Sequence, residues 1–171
     1  GYSVVAVEAN PAMVAILEER FSKELDDGRL VIVPKAIARE SGKATLFINK
    51  NSVWGTICPT WAKRNKQLGS DSHKIEVESV QFQKIVKEYG EPYYIKIDIE
   101  GVDRICLEGL LQTRIRPKFL SIESEKVSWR GLLKEFELLE RLGYTKFAVV
   151  NQRSHAKCRL CDANGNFFEY E

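Results

Sequence analysis

The stretch that most constrains the fold of this chain is YYIKIDIEGVD, Tyr93 to Asp103. An apolar, β-branched run ends in two carboxylates, Asp98 and Glu100, and then in a glycine. Such a run predicts a strand of a parallel sheet buried on both faces, because helices on either side remove the usual polar alternation. Unpaired charges are costly to bury, so Asp98 and Glu100 belong at the strand's carboxyl end. That rim is where open α/β sheets bind their ligands. Gly101 then allows a close turn into the following helix. The alternative is an edge strand whose acids are simply solvated.

Signals for strand and helix alternate along the rest of the chain. Ser3 to Val7 is a short apolar strand ending at Glu8, and Asn10-Pro11 is a helix start, with Asn capping free amides and Pro preset for the first helical position. Met13, Val14, Ile16, Leu17 and Phe21 recur at roughly helical spacing until Asp27-Gly28 breaks the run. Leu30 to Ile37 predicts the next strand, with Pro34 arguing for an edge or a bulge. Ser41-Gly42 turns into a hairpin arm at Ala44 to Ile48, and Ile75 to Val80 alternates like a strand. Residues 49 to 73, with Trp54, Trp61 and the basic Lys63, Arg64 and Lys66, show no clear period and predict a long loop. Helices are expected over Phe82 to Tyr89, Val102 to Leu111 and Trp129 to Leu142, and strands over Phe119 to Ile122 and Phe147 to Val150. Asn164-Gly165 signals a closing hairpin. The alternation predicts an α/β, doubly wound, mostly parallel sheet with an antiparallel C-terminal hairpin.

Composition excludes several classes. With 171 residues the chain suits one domain with a real core. A net charge of +2, with basic residues interleaved among acidic ones, gives no case for nucleic acid as the partner. No run of 18 apolar residues occurs, so no membrane segment is expected. Four cysteines, two of them inside apolar patterns, read as reduced thiols of a cytoplasmic protein. Oligomeric state is not encoded in any pattern here.

Three strands end in an acid: Glu8, then Asp98 with Glu100, then Glu123. Successive parallel strands bring their carboxyl ends to one rim. In nucleotide-binding α/β folds an acid in the position of Glu8 accepts hydrogen bonds from ribose hydroxyls, since a carboxylate takes two donors at once. The plainer reading is that Glu8 favours the positive end of the Pro11 helix. His155, Cys158 and Cys161 have the spacing of three zinc ligands, but no fourth ligand lies nearby and ordinary hairpin residues are the simpler account.

VEANP, KAIARESGKATLFI, YIKIDIEGVD and FLSIE, in that order, resemble the FkbM-type S-adenosylmethionine-dependent methyltransferases. The likeness runs from about Val4 to about Ala148, and IKIDIEG is its most specific part. It implies a seven-stranded methyltransferase sheet and methylation of a hydroxyl oxygen on a sugar or other small molecule, with S-adenosyl-L-methionine as cofactor. It also implies roles. Glu8 and the adjoining Asn10 serve the cofactor ribose; Lys35 and Ala36, at the end of the third strand, contact the adenine. Asp98 meets the acceptor hydroxyl, with Glu100 as a second catalytic contact or a partner for Lys96. Lys96, Glu123 and Trp54 face the substrate, and the loop with Trp54 and Trp61 is a lid or merely its own hydrophobic anchor. No metal is expected, although carboxylates of this kind suit hard cations.

The sequence departs from that family in one respect. Only seven residues precede Glu8, so the family's first strand and its glycine-rich cofactor loop have no counterpart. The expectation is a single methyltransferase-like domain over residues 1–171, N-terminally incomplete and part of a longer polypeptide that is the methyltransferase, with the fragment alone binding cofactor poorly or not at all; a rebuilt domain is the alternative. Two other functional classes stay open, a non-catalytic degenerate domain and a nicotinamide-dependent oxidoreductase.

Overall fold

The computed structural model describes residues 1–49, 55–67, 69, 72–124 and 128–150, and the backbone of 160–161 and 167–168. Trp54, His155 and Cys158, and the side chain of Cys161, fall outside them. The chain begins with β1 (Val4–Val7), α1 (Pro11–Arg20) and α2 (Ser22–Asp26). β2 (Leu30–Val33) then returns parallel to β1, Val4 opposite Leu30 and Val7 opposite Val33. Asn10 caps α1, its side-chain oxygen accepting from the Ala12 amide at 3.1 Å, while Pro11 fills the first helical position.

Pro34 divides the expected Leu30 to Ile37 strand in two. It has no N–H to give to a ladder, and the Lys35 amide turns back to the Val33 carbonyl at 2.9 Å. The chain re-emerges as β3 (Ala36–Ile37), which pairs in parallel with a different partner, β5 (Ser72–Val80). The segment expected as a hairpin arm is a strand, β4 (Gly42–Asn49), but it pairs antiparallel with β5, from Gly42 opposite Ser79 to Asn49 opposite Ser72, and β5 separates it from β3 before the Ser41-Gly42 turn. Ala36, Leu46, Ile48 and Val77 form its small core.

The segment expected to be a loop contains a helix, α3 (Pro59–Gln67). Pro59 is preset for helix entry, and Ala, Arg, Lys and Gln follow with good helix propensity. Only Trp61, Ala62 and Asn65 turn away from solvent, so there is no apolar stripe for a period to reveal.

α4 (Phe82–Tyr89), β6 (Tyr94–Ile97), α5 (Arg104–Leu111), β7 (Phe119–Ile122) and α6 (Trp129–Arg141) build the main core. β6 and β7 are parallel, Tyr94 opposite Phe119 and Ile97 opposite Ile122. α5 packs against α4 and α6. Its Cys106, Leu107 and Leu110 are the most deeply buried large side chains described, set among Ile85, Val86, Ile97, Leu138, Leu139 and Leu142. Burial pushes the Cys106 thiol well above its usual range, so it is inert packing. Val33 and Ile37 join the same cluster, which ties the β1–β2 pair to the β6–β7 pair.

β6 is not buried on both faces. Ile95 and Ile97 meet the helices, whereas Tyr94 and Lys96 are exposed and Tyr94 Oη bonds Ser121 Oγ at 2.6 Å. The YYIKI run is apolar by composition, but its aromatic hydroxyl and lysine amine share one side by the two-residue period. Phe147 to Val150 is irregular and exposed; an apolar run becomes a strand only against an available edge, and no strand among the described residues pairs with it. The closing hairpin forms as β8 (Leu160–Cys161) and β9 (Phe167–Phe168), antiparallel and, among the described strands, paired with each other alone. The architecture is α/β with parallel strand pairs, and the described strands fall into four separate sheets.

Candidate functional site

Glu8 follows directly on β1, and its amide still bonds the Val33 carbonyl at 3.1 Å. Its carboxylate Oε1 accepts from the Asn10 amide at 2.7 Å, so it does support the α1 entry, which leaves Oε2 for a ligand. Asn10 itself is buried. Ala36 is buried in the β3–β5 core, and the Lys35 ammonium pairs with Glu78 at 3.0 Å. At the end of β6, Asp98 accepts from Lys96 Nζ at 2.9 Å. That hydrogen bond is the main reason the Lys96 ammonium is pushed above its usual range. Glu123 extends β7, its amide bonding the Ile97 carbonyl at 3.2 Å.

These residues from separate strands face one cavity of about 530 Å³, lined by Glu8, Asn10, Lys35 and Ala36 on one side and by Asp98, Glu100 and Glu123 on the other. One carboxylate oxygen from each of Asp98, Glu100 and Glu123 lies within 4.8 Å of the others. Asp98 and Glu123 also border a second cavity of about 820 Å³ between β6–β7 and α6, with Tyr94, Lys96 and Phe136 on its walls. The expected convergence of strand-end acids is therefore present in the geometry, and Lys96 engages Asp98.

The turn after Asp98 is built with unusual backbone. Glu100 has φ of 50° and Gly101 has φ of 90°, a left-handed pair of which only the glycine is comfortable. The Asp103 carboxylate holds the turn from inside, accepting from the Ile99 amide at 2.9 Å and the Gly101 amide at 3.1 Å. Burial pushes this carboxyl above its usual range, against the opposing pull of the backbone donors. From outside, Thr56 Oγ1 donates to the Glu100 carbonyl at 2.7 Å, and the Trp61 indole lies directly on Gly101. Trp61 is thus an anchor for its own segment, one of the two roles expected of it. Asp103 and Thr56 were not legible as site residues. An acid just ahead of a helix is a signal for Asp103, but it reads equally as a cap.

The fold is α/β with parallel strand pairs, and the acids at the ends of β1, β6 and β7 border one cavity. The model of the methyltransferase FkbM domain matches residues 1–146, most of the chain, and the chain belongs to that family. No match was found among curated proteins or among solved structures. Among the described residues no helix is long and apolar enough to cross a membrane.

Proposed function

We propose that this chain is an S-adenosylmethionine-dependent methyltransferase domain acting on a hydroxyl oxygen of a sugar or another small molecule. The observation that carries the reading is the single cavity bordered by Glu8, Lys35 and Ala36 on one side and by Asp98, Glu100 and Glu123 on the other. Its volume is in the range of small-ligand sites, and a carboxylate with a spare oxygen suits a ribose diol. The residues present therefore fit the nucleoside part of the cofactor.

Glu8 would hold the ribose hydroxyls, with Asn10 fixing the loop that carries it, and Lys35 and Ala36 would line the adenine. When bound, S-adenosylmethionine supplies an electrophilic methyl group. Asp98 would orient the acceptor hydroxyl and take its proton at a carboxylate oxygen, since an alcohol is poorly acidic and gains from a positioned base. Lys96, bonded to Asp98, fixes the carboxylate's direction. Glu123 and Glu100 complete the polar rim on the acceptor side.

Ligand protection tests the reading. S-adenosylhomocysteine should raise the melting temperature of the full-length protein in a concentration-dependent way, and NAD should not. Protection by NAD alone would favour an oxidoreductase, and protection by neither would favour a degenerate domain.

A further inference from the structure

Glu100 occupies a left-handed conformation although it is not glycine. A strained residue persists only where its surroundings over-determine it. Two contacts from a distant segment meet this turn. Thr56 Oγ1 donates to the Glu100 carbonyl at 2.7 Å and accepts from the Cys58 amide at 3.0 Å. Thr56 is itself buried and fixed by a two-way backbone bridge to Phe47, at 2.8 and 3.1 Å. Next to it, the indole of Trp61 fills the space that a side chain at position 101 would need. A Cβ on Gly101 would overlap the indole Nε1, Cδ1 and Cε2. The Arg64 guanidinium sits 4.6 Å from the Trp61 ring centroid, within cation–π range.

From this geometry we infer that Thr56 and Trp61 are positioning residues for the carboxylate site. They hold Glu100 in its left-handed conformation, and that conformation brings the Glu100 carboxylate into the group formed with Asp98 and Glu123. The β4–α3 arm thereby sets the acceptor side of the cavity; its Leu46 and Ile57, which pack with Ala9 and Ala36 next to Glu8, are not touched by substitutions at Thr56 or Trp61. The functional meaning of this clamp rests on the methyltransferase reading; the clamp itself does not.

The test uses the whole chain. Thr56→Val removes the hydroxyl at nearly constant shape, Thr56→Ser restores it, and Trp61→Phe thins the plate on Gly101. In Thr56→Val the HN–Hα coupling of Glu100 should leave its left-handed value, and the side-chain carboxyl ¹³C resonances of Asp98 and Glu100 should move. Amide exchange at Gly101 should quicken by about tenfold, the factor for one net hydrogen bond. Thr56→Ser should return all three to wild type, and Trp61→Phe should shift them in the same direction as Thr56→Val. The Kd for S-adenosylhomocysteine should be the same in every variant. Variants that disturb only α3 resonances and leave Glu100 and Asp98 unchanged would overturn the clamp. Wild-type protein that fails to bind S-adenosylhomocysteine would count against the methyltransferase reading, and the resonance measurements would still decide the clamp.

Discussion

Asp103→Ala isolates the inner support of the Asp98–Gly101 turn. The substitution removes the acceptor of two backbone donors, the Ile99 amide at 2.9 Å and the Gly101 amide at 3.1 Å. Asp103 is 7% exposed, so water replaces the lost carboxylate poorly. Leaving a buried donor unsatisfied costs about 1–3 kcal/mol. Two partly buried donors, one beside solvent-accessible Gly101, therefore give a loss of about 2–4 kcal/mol. For a chain of this size that corresponds to a fall in Tm of roughly 5–15 °C. Urea and thermal unfolding of the two proteins measure it. The pH dependence has a defined sign. Burial raises the folded-state pKa of Asp103 above its unfolded value, so the folded state holds the proton more tightly. Its contribution is full below the unfolded value, near pH 4, and is lost as pH rises through the raised folded value. The gap between wild type and Asp103→Ala should therefore be wider at acid pH than at neutral pH. A loss below about 0.5 kcal/mol, the usual scatter of surface substitutions, would refute the reasoning, because it would mean the turn needs no inner acceptor. A gap that widens with pH would show that the backbone donors outweigh burial.

Three further outcomes follow from the same geometry. Leu107→Ala, at the centre of the α4–α5–α6 core and fully buried, should cost about 2–5 kcal/mol in urea unfolding, with secondary structure retained by circular dichroism. Asp98→Asn should cut methyl transfer to an accepted hydroxyl substrate by roughly 10²–10⁴-fold, the range for losing a general base, with cofactor affinity unchanged; near-normal turnover would remove Asp98 from the chemistry. Gly101→Ala should displace the Trp61 indole and strain a φ of 90°, visible as a shift in tryptophan fluorescence and a lower Tm.

The parts of this fold that were legible in sequence are those where one local rule acts alone. Phe82 to Tyr89 has apolar residues at helical spacing and a glycine stop, and α4 has those bounds. Alternation marked β4 and β5 as strands, but the Ser41-Gly42 turn pointed β4 back to the strand before it, whereas β5 lies between β3 and β4. Where two rules compete, sequence reading fails. Pro34 was consistent with a bulge or an edge, and the choice depended on β3 finding β5 rather than β1. α3 was hidden because only Trp61, Ala62 and Asn65 turn inward, too few apolar positions to make a stripe. The apolar composition of β6 suggested two buried faces, but the alternation of Tyr94 and Lys96 with Ile95 and Ile97 decided otherwise. For the candidate site, strand ends pointed to Glu8, Asp98 and Glu123, and these three border one cavity. Thr56 reaches Glu100 across 44 positions of sequence, and no periodicity carries information over that distance. Gly101 announced a tight turn, and nothing in its neighbours announced the tryptophan it accommodates.

The central claim is that one cavity binds S-adenosylmethionine through Glu8. Calorimetric titration of S-adenosylhomocysteine into the full-length protein and its Glu8→Ala variant tests it most directly. Wild type should show saturable one-site binding, and Glu8→Ala a Kd weaker by about 10–100-fold, the equivalent of about 1–3 kcal/mol for an unpaired polar contact. Equal affinity in the two proteins, or no binding to wild type, would contradict it.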